Sequence, residues 1–282
     1  MKIEDIKVEY WHCANEISHI ARCARVCYAS DNTKNNEKFV DMLNSNGHRS
    51  MFRHAPAYYI IPEQNLYINN AAYIDTIAMK IKNKWYVSTN LQCANEYWDI
   101  LYHDCRISIE EAENNEIFYK NKMLRYTYCV HTGIDITREL NRKSPNNIAE
   151  QSTRYVDFCK KIGIKFKKCH WMNHLSLYKR CLVWVMAKTS ELFYKLSRSK
   201  YGLNLPAQDA RWILPLDTMS VAVYTYTVRD WERIINMRVF DWTGKAHPDA
   251  KAVVSKIYYN LVDEHGYDII NYKNNRPRLT PA

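Results

Sequence analysis

Six consecutive residues, Glu150-Gln151-Ser152-Thr153-Arg154-Tyr155, carry a carboxylate, an amide, two hydroxyls, a guanidinium and a phenol. That density of directional groups suits the gripping of a small, polar, phosphorylated molecule. A guanidinium bonds phosphate oxygens at two points through its planar fork, and the hydroxyls of Ser152 and Thr153 fill the remaining acceptors. The competing reading is a polar loop in which Ser152 only caps the next turn of chain. No histidine adjoins Ser152 to activate it as a nucleophile, which leaves it a binding residue.

The elements that must hold this segment can be read on either side of it. Residues 124–130 form a strand candidate, and 132–142 a short helix. Thr132-Gly133-Ile134-Asp135 is a capping-box variant with the Thr132 hydroxyl at the N-cap, and Pro145 ends the helix before the polar segment. Downstream, 217–226 alternates as a strand. Thr227-Val228-Arg229-Asp230 repeats the capping logic and opens a helix through Arg238. Residues 16–27 and 37–43 have helical spacing, the second stopped by Asn46-Gly47, and 55–62 reads as a strand. A long amphipathic stretch, 174–196, serves as scaffold or subunit contact.

Residues 64–121 are rich in Asn and Tyr, helical in pattern over 71–81 and 91–102, with a short strand at 85–88. They have no Pro/Gly/Ser linker at either end, so they read as a mostly helical insertion within one domain spanning 1–282. The expected class is α/β of the α+β kind, with an antiparallel-rich central sheet flanked by helices.

The formal charge of +10 favours anionic partners, but Lys and Arg are spread along the chain rather than gathered into an arm or stripe. A basic nucleic-acid-binding protein therefore stands as the remote alternative to an enzyme. Nine cysteines, scattered and without CxxC pairs, support neither a disulfide framework nor a zinc cage. Cys169-His170 has no companions at metal spacing, so no metal is expected. The absence of an apolar span or signal segment leads us to expect a cytoplasmic protein.

Four ordered motifs resemble one family. The first is Ala24-Arg25-Val26-Cys27-Tyr28, followed by Asn46-Gly47-His48-Arg49-Ser50-Met51-Phe52-Arg53-His54. The second is Arg142-Lys143-Ser144, then seven residues, then Ser152-Thr153-Arg154-Tyr155. The third is Ala210-Arg211-Trp212-Ile213-Leu214-Pro215-Leu216, and the fourth Asn236-Met237-Arg238 with Ala246-His247-Pro248. Together they are similar to the flavin-dependent thymidylate synthases, the ThyX family. The resemblance covers most of 20–63 and 122–260. The family's Arg-His-Arg triplet is altered here: Lys143 replaces the His and Ser144 the second Arg.

The resemblance implies reductive methylation of dUMP to dTMP. FAD is the cofactor, methylenetetrahydrofolate and NADPH are co-substrates, and a homotetramer builds active sites from several chains. It places Glu139, Arg142, Glu150, Gln151, Ser152, Thr153, Arg154, Arg211 and Arg238 around dUMP, with Arg211 supplied by a neighbouring subunit. Arg238 is the activating group: a permanent cation beside the uracil edge favours the enolate-like ring whose C5 is electron-rich, an electrostatic role. Read without the family, Arg211 is a surface salt bridge and Arg238 a neutraliser of a helix C-terminus.

For FAD the matching positions are His48, Ser50, Arg142, Lys143, Ser144, Glu150, Thr227, Val228, Arg229 and Arg233. The helix start at 227 offers N–H groups and a positive dipole end for pyrophosphate or flavin carbonyls. His48 stacks on flavin, or is a structural histidine after a helix stop. Losing a charge-assisted contact at Lys143-Ser144 costs about 1.5–3 kcal/mol, a flavin affinity about ten- to a hundred-fold lower, which Arg233 partly offsets. A relative that binds a pyrimidine deoxynucleotide but performs another C5 chemistry, such as hydroxymethylation, or has lost turnover, is the close alternative.

Overall fold

A computed structural model of the chain describes residues 2–30, 35–63, 75–143, 146–159 and 163–274. Strand formation follows the Tyr- and Val-rich runs. β1 (Lys2–Glu4), β2 (Lys7–Trp11), β3 (Pro56–Pro62), β4 (Ile77–Ile81), β5 (Lys84–Asn90), β6 (Arg106–Ile107), β7 (Arg125–Gly133), β8 (Ile148–Glu150), β9 (Lys165–Lys167) and β10 (Met219–Thr227) assemble into three sheets. One four-stranded sheet has the order β2-β7-β10-β8 and another β4-β5-β3-β6; β1 and β9 form a parallel pair. Every pairing in the two larger sheets is antiparallel. The result is a mixed α+β fold, with two antiparallel sheets where a single central sheet is expected from the sequence.

The helices are α1 (Glu16–Tyr28), α2 (Asn36–Ser45), α3 (Leu91–Cys93), α4 (Asp99–Tyr102), α5 (Ile109–Glu113), α6 (Glu116–Lys120), α7 (Ile134–Leu140), α8 (Leu177–Arg198), α9 (Ala207–Ala210), α10 (Val228–Arg238) and α11 (Pro248–Tyr259). The largest core packs Trp231, Ile234 and Ile235 of α10 and Val253, Val254 and Ile257 of α11 against Tyr128 and Val130 of β7. A second core joins Ile20 and Ala24 of α1 to Tyr59 and Ile61 of β3 and to Trp98. None of the described helices is long and apolar enough to cross a membrane.

Two local expectations are corrected. The helical pattern over 71–81 fails where it can be seen: Ile77–Ile81 is β4, paired with β5, and residues 71–74 lie outside the described ones. Ile77, Met79 and Ile81 face the largest core while Ala78 faces the second, a period of two that ladder pairing selects over the coincident helical spacing. The N-cap of α7 is Gly133 rather than Thr132, which stays buried inside β7. The first amides of α7 are already satisfied, Ile134 N–H by the Thr218 carbonyl (3.1 Å) and Asp135 N–H by that of Leu216 (3.0 Å), so no hydroxyl cap is required. α7 ends at Leu140, short of Pro145, which with Ser144 lies outside the described residues.

The Asp135 carboxylate turns instead to Lys167, whose side chain is fully buried. Its Nζ lies 2.6 Å from Asp135 Oδ2, 2.8 Å from Asp249 Oδ2 and 3.3 Å from Asp217 Oδ1. Burial works against the ammonium, but the bonds to Asp135 and Asp249 outweigh it and hold the pKa above the ordinary lysine value.

A buried polar relay crosses the first sheet. His54 Nδ1 pairs with Thr225 Oγ1 (2.9 Å), Thr225 with its cross-strand neighbour Thr127 (2.8 Å), and Thr127 with His19 Nε2 (3.1 Å). Burial, with the Arg22 cation second, pushes His19 down to about 4, and burial pushes His54 down to about 3. The fold thus requires both imidazoles neutral. Their contribution is fully present above the unfolded value near 6.5 and is lost as pH falls below it. Urea unfolding at pH 7 and pH 5 is expected to reveal a loss on the order of 3 kcal/mol. Equal midpoints would mean that these rings already titrate normally.

Candidate active site

β8 is a three-residue edge strand, and the polar hexapeptide leaves the sheet from its last residue. Glu150 pairs with Ala222, and the ladder runs one step further through Gln151 N–H to the Val221 carbonyl (2.8 Å). Ser152 N–H then donates to the carbonyl of Cys27 at the end of α1 (2.9 Å). The Ser152 hydroxyl accepts from the N–H groups of Arg154 (3.1 Å) and Tyr155 (3.3 Å). Ser152 therefore orders the turn, as the plain-loop reading holds, while its own proton remains available to donate.

The Arg154 guanidinium is exposed and lies 5.4 Å from the centre of the Tyr155 ring. Across the cleft, a short 3-10 turn at Arg211–Ile213 follows α9 and presents Arg211, whose Nη1 donates to Thr153 Oγ1 at 3.0 Å. The chain's own Arg211 makes this contact, where the resemblance implies a neighbouring subunit's. The cleft encloses about 680 Å³, with Glu150, Gln151, Ser152, Thr153, Arg154 and Arg211 on its wall. Sequence reasoning missed Ile134, Arg138 and Trp212, which also line it. The i,i+4 spacing of Ile134 and Arg138, which puts both on one face of α7, was the available signal for the first two.

The remaining nucleotide candidates are distributed differently. Glu150 is held from below: its Oε1 accepts from Thr137 Oγ1 (2.6 Å) and its Oε2 from Asn141 Nδ2 (3.0 Å). Arg238, at the end of α10, is tied to Glu139, with Nη2 donating to its carbonyl (2.9 Å) and Nη1 3.4 Å from its carboxylate. It thus closes the C-terminal end of α7 rather than only its own helix. Neither Arg238, Glu139 nor the exposed Arg142 lines the cleft within this chain.

A second pocket, of about 320 Å³, gathers Lys143, Arg229 and Arg233 with Asp75, Asp230, Trp242 and Tyr272. Lys143 Nζ sits 3.0 Å from Asp230 Oδ1. The Arg229 and Arg233 guanidinium groups have no hydrogen-bond or ion-pair partner among the described residues, and Trp242 and Tyr272 meet edge to face with centroids 5.3 Å apart. Asp75 is anchored by the buried Arg125 (2.6 Å) and by Asn90 (3.1 Å). Nothing in the sequence around Asp75 or Arg125 signalled that pair.

The helix-start reading for phosphate needs correction. Val228 N–H donates to the Leu124 carbonyl (2.9 Å), Arg229 N–H to that of Lys122 (3.0 Å), and Asp230 N–H to Thr227 Oγ1 (3.1 Å). With its first amides already bonded, α10 has no open anion seat at Thr227 and Val228, both of which are buried. Charge on this side comes from side chains instead. His48 and Ser50 stand exposed around the start of the 3-10 turn Arg49–His54 and line neither pocket.

Residues 121–265 match the model of the family described as thymidylate synthase complementing protein. Two crystal structures of a UMP/dUMP methylase, PolB from Streptomyces cacaoi, are similar over 93% of this chain at 13% identity and a TM-score of 0.45. One is bound with 5-Br dUMP, with 93% of its chain covered, and the other with 5-Br UMP, with 92% covered. No curated protein matches the sequence.

Proposed function

We propose, from the premise that this chain belongs to the thymidylate synthase complementing protein (ThyX) family, that it methylates dUMP to dTMP reductively. Methylenetetrahydrofolate is the carbon donor in this reading, and NADPH the source of reducing equivalents. The observation that carries it is the convergence of Ser152, Thr153 and Arg154 with Arg211 on one cleft. Arg154 and Arg211 grip the 5′-phosphate as paired forks, Thr153 orients Arg211, and Ser152 donates its hydroxyl proton. Gln151 and Glu150 fix the floor through the sheet and α7. Arg238, a permanent cation oriented by Glu139, stabilises charge developing on the pyrimidine once the assembled site brings the two together.

The donor set of the second pocket, about 320 Å³, suits one end of FAD: Arg229 and Arg233 for phosphate oxygens and Trp242 and Tyr272 for an aromatic ring, with Lys143 held by Asp230 in the wall. Bound there, FAD supplies the hydride chemistry that no side chain can perform. His48 and Ser50 stand outside both pockets of one chain, so in this reading they reach FAD only through other copies in a homotetramer. α8 supports the same assembly, because Leu177, Tyr178, Trp184, Val185 and Met186 are exposed along it.

The Lys143–Asp230 ion pair favours a second reading, in which flavin binding is altered and C5 chemistry departs from methylation or is lost. Incubating the purified protein with [5-³H]dUMP, folate donor, FAD and NADPH separates the two. Tritium release matched by dTMP is expected. Release without dTMP establishes the second reading, and absence of both, with no dUMP binding, overturns the nucleotide assignment altogether.

A further inference from the structure

We propose that His170, His247 and Asp249 form a binding site for one zinc-class divalent cation per chain. One ring nitrogen from each histidine and a carboxylate oxygen of Asp249 lie within 4.8 Å of one another. His170 Nδ1 and Asp249 Oδ1 are 3.3 Å apart, close to the edge of a tetrahedron built on metal bonds of about 2.0–2.1 Å. The two rings approach edge to face with centroids 5.5 Å apart, a spacing open to two ligands on one ion.

The site is preorganised. Asp249 is almost fully buried, with Oδ2 on Lys167 (2.8 Å) and Oδ1 receiving the backbone N–H of His170 (2.9 Å). His247 stands at the N-cap of α11, its Nδ1 accepting a long bond from Asp249 N–H (3.3 Å) that is given up when the ring binds the ion. The contacts to Lys167 and to His170 N–H orient the Asp249 carboxylate before the ion arrives.

Charge supplies the second, independent observation. Among the described residues Lys167 is the only cation bonded to three carboxylates, those of Asp135, Asp217 and Asp249, which leaves an excess of negative charge directly behind the two imidazoles. Both histidines reach solvent, so an ion can enter and a water can take the fourth position, as at three-ligand zinc sites. Binding expels any proton shared between His170 and Asp249. The ion would clasp the 3-10 turn His170–His174, just before α8, to the first turn of α11.

Cys169 takes no part, since its Sγ turns to Asp217 at 3.3 Å. The other cluster of suitable atoms, Glu9, Cys129 and His131, is a poorer candidate. Glu9 is already paired with Lys7 and Trp11, and burial pushes the Cys129 thiol up to about 12. The histidines of the proposed site stand 77 positions apart in the chain, so no sequence spacing announces it.

The test is zinc competition against a chromophoric chelator on the full chain after dialysis with EDTA, repeated with cobalt to read coordination from its visible absorption. His170→Ala removes an exposed ring, and His247→Asn keeps an N-cap acceptor while removing the imidazole. The wild type is expected to bind one equivalent with a four-coordinate cobalt spectrum, and each variant to lose at least about tenfold in affinity. Equal uptake by the wild type and the double variant would assign the ion to surface thiols or other histidines and overturn the proposal, as would no uptake at all. Neither readout depends on nucleotide or flavin binding.

Discussion

Arg211→Ala is expected to weaken dUMP binding, measured by titration calorimetry, by about 100-fold or more. The guanidinium now bonded to Thr153 at 3.0 Å stands across the cleft from Arg154, placed to add a second two-point contact to a phosphate that Arg154 holds. Each charge-assisted bond contributes about 1.5–3 kcal/mol, so losing a forked pair removes at least two tenfold steps. Arg211→Lys keeps the charge and loses the fork, and about a tenfold loss is expected. The two variants together separate shape from charge. If both bind dUMP like the wild type, the phosphate does not sit between these arginines.

The largest stability effect is expected at Lys167. Methionine matches the stem but leaves Asp135, Asp217 and Asp249 facing one another without a cation. Removing one member of a buried ionic cluster costs about 3–5 kcal/mol, equivalent to a Tm lowered by about 10 °C in a chain of this size. The pH dependence follows from the partners. Burial raises the pKa of Asp249, but the hydrogen bond from Lys167 outweighs it and holds the value below the ordinary carboxylate range. Asp249 therefore adds stability above the unfolded value near 4, which is lost as pH falls through the folded one. In Lys167→Met the carboxylates repel and protonate more readily. The gap between variant and wild type is therefore largest at pH 7 and narrows toward pH 5. The buried histidines titrate in both proteins and cancel in that difference. A gap independent of pH would point to a packing defect.

The hexapeptide was legible because its chemistry is local, and so were the strands around it: β7 and β10 carry unambiguous β-rich runs, and the cap of α10 is Thr227 with Asp230, as its spacing implies. What the sequence left hidden was contact between distant segments. Arg211 lies 58 positions from Thr153, and only the packing of α9 and its following turn into a core with Phe158, Phe166 and Tyr194 of α8 brings them together. The open amides expected at α10 are closed by carbonyls of residues 122 and 124, which no inspection of the helix itself reveals. Arg238 meets Glu139 because two helix ends abut. β4 was misread because Ile77, Ala78 and Ile81 satisfy a helical spacing as well as they satisfy a strand, and the choice belongs to β5.

Leu177 and Tyr178 are 79% and 71% exposed, and Met186 is 70% exposed, on a helix 22 residues long. Water tolerates such a face poorly, and mass action turns that intolerance into a dependence on crowding by its own kind. Diluting a stock should therefore lower the melting point and the turnover per milligram together. Measurements taken only at nanomolar enzyme would understate both.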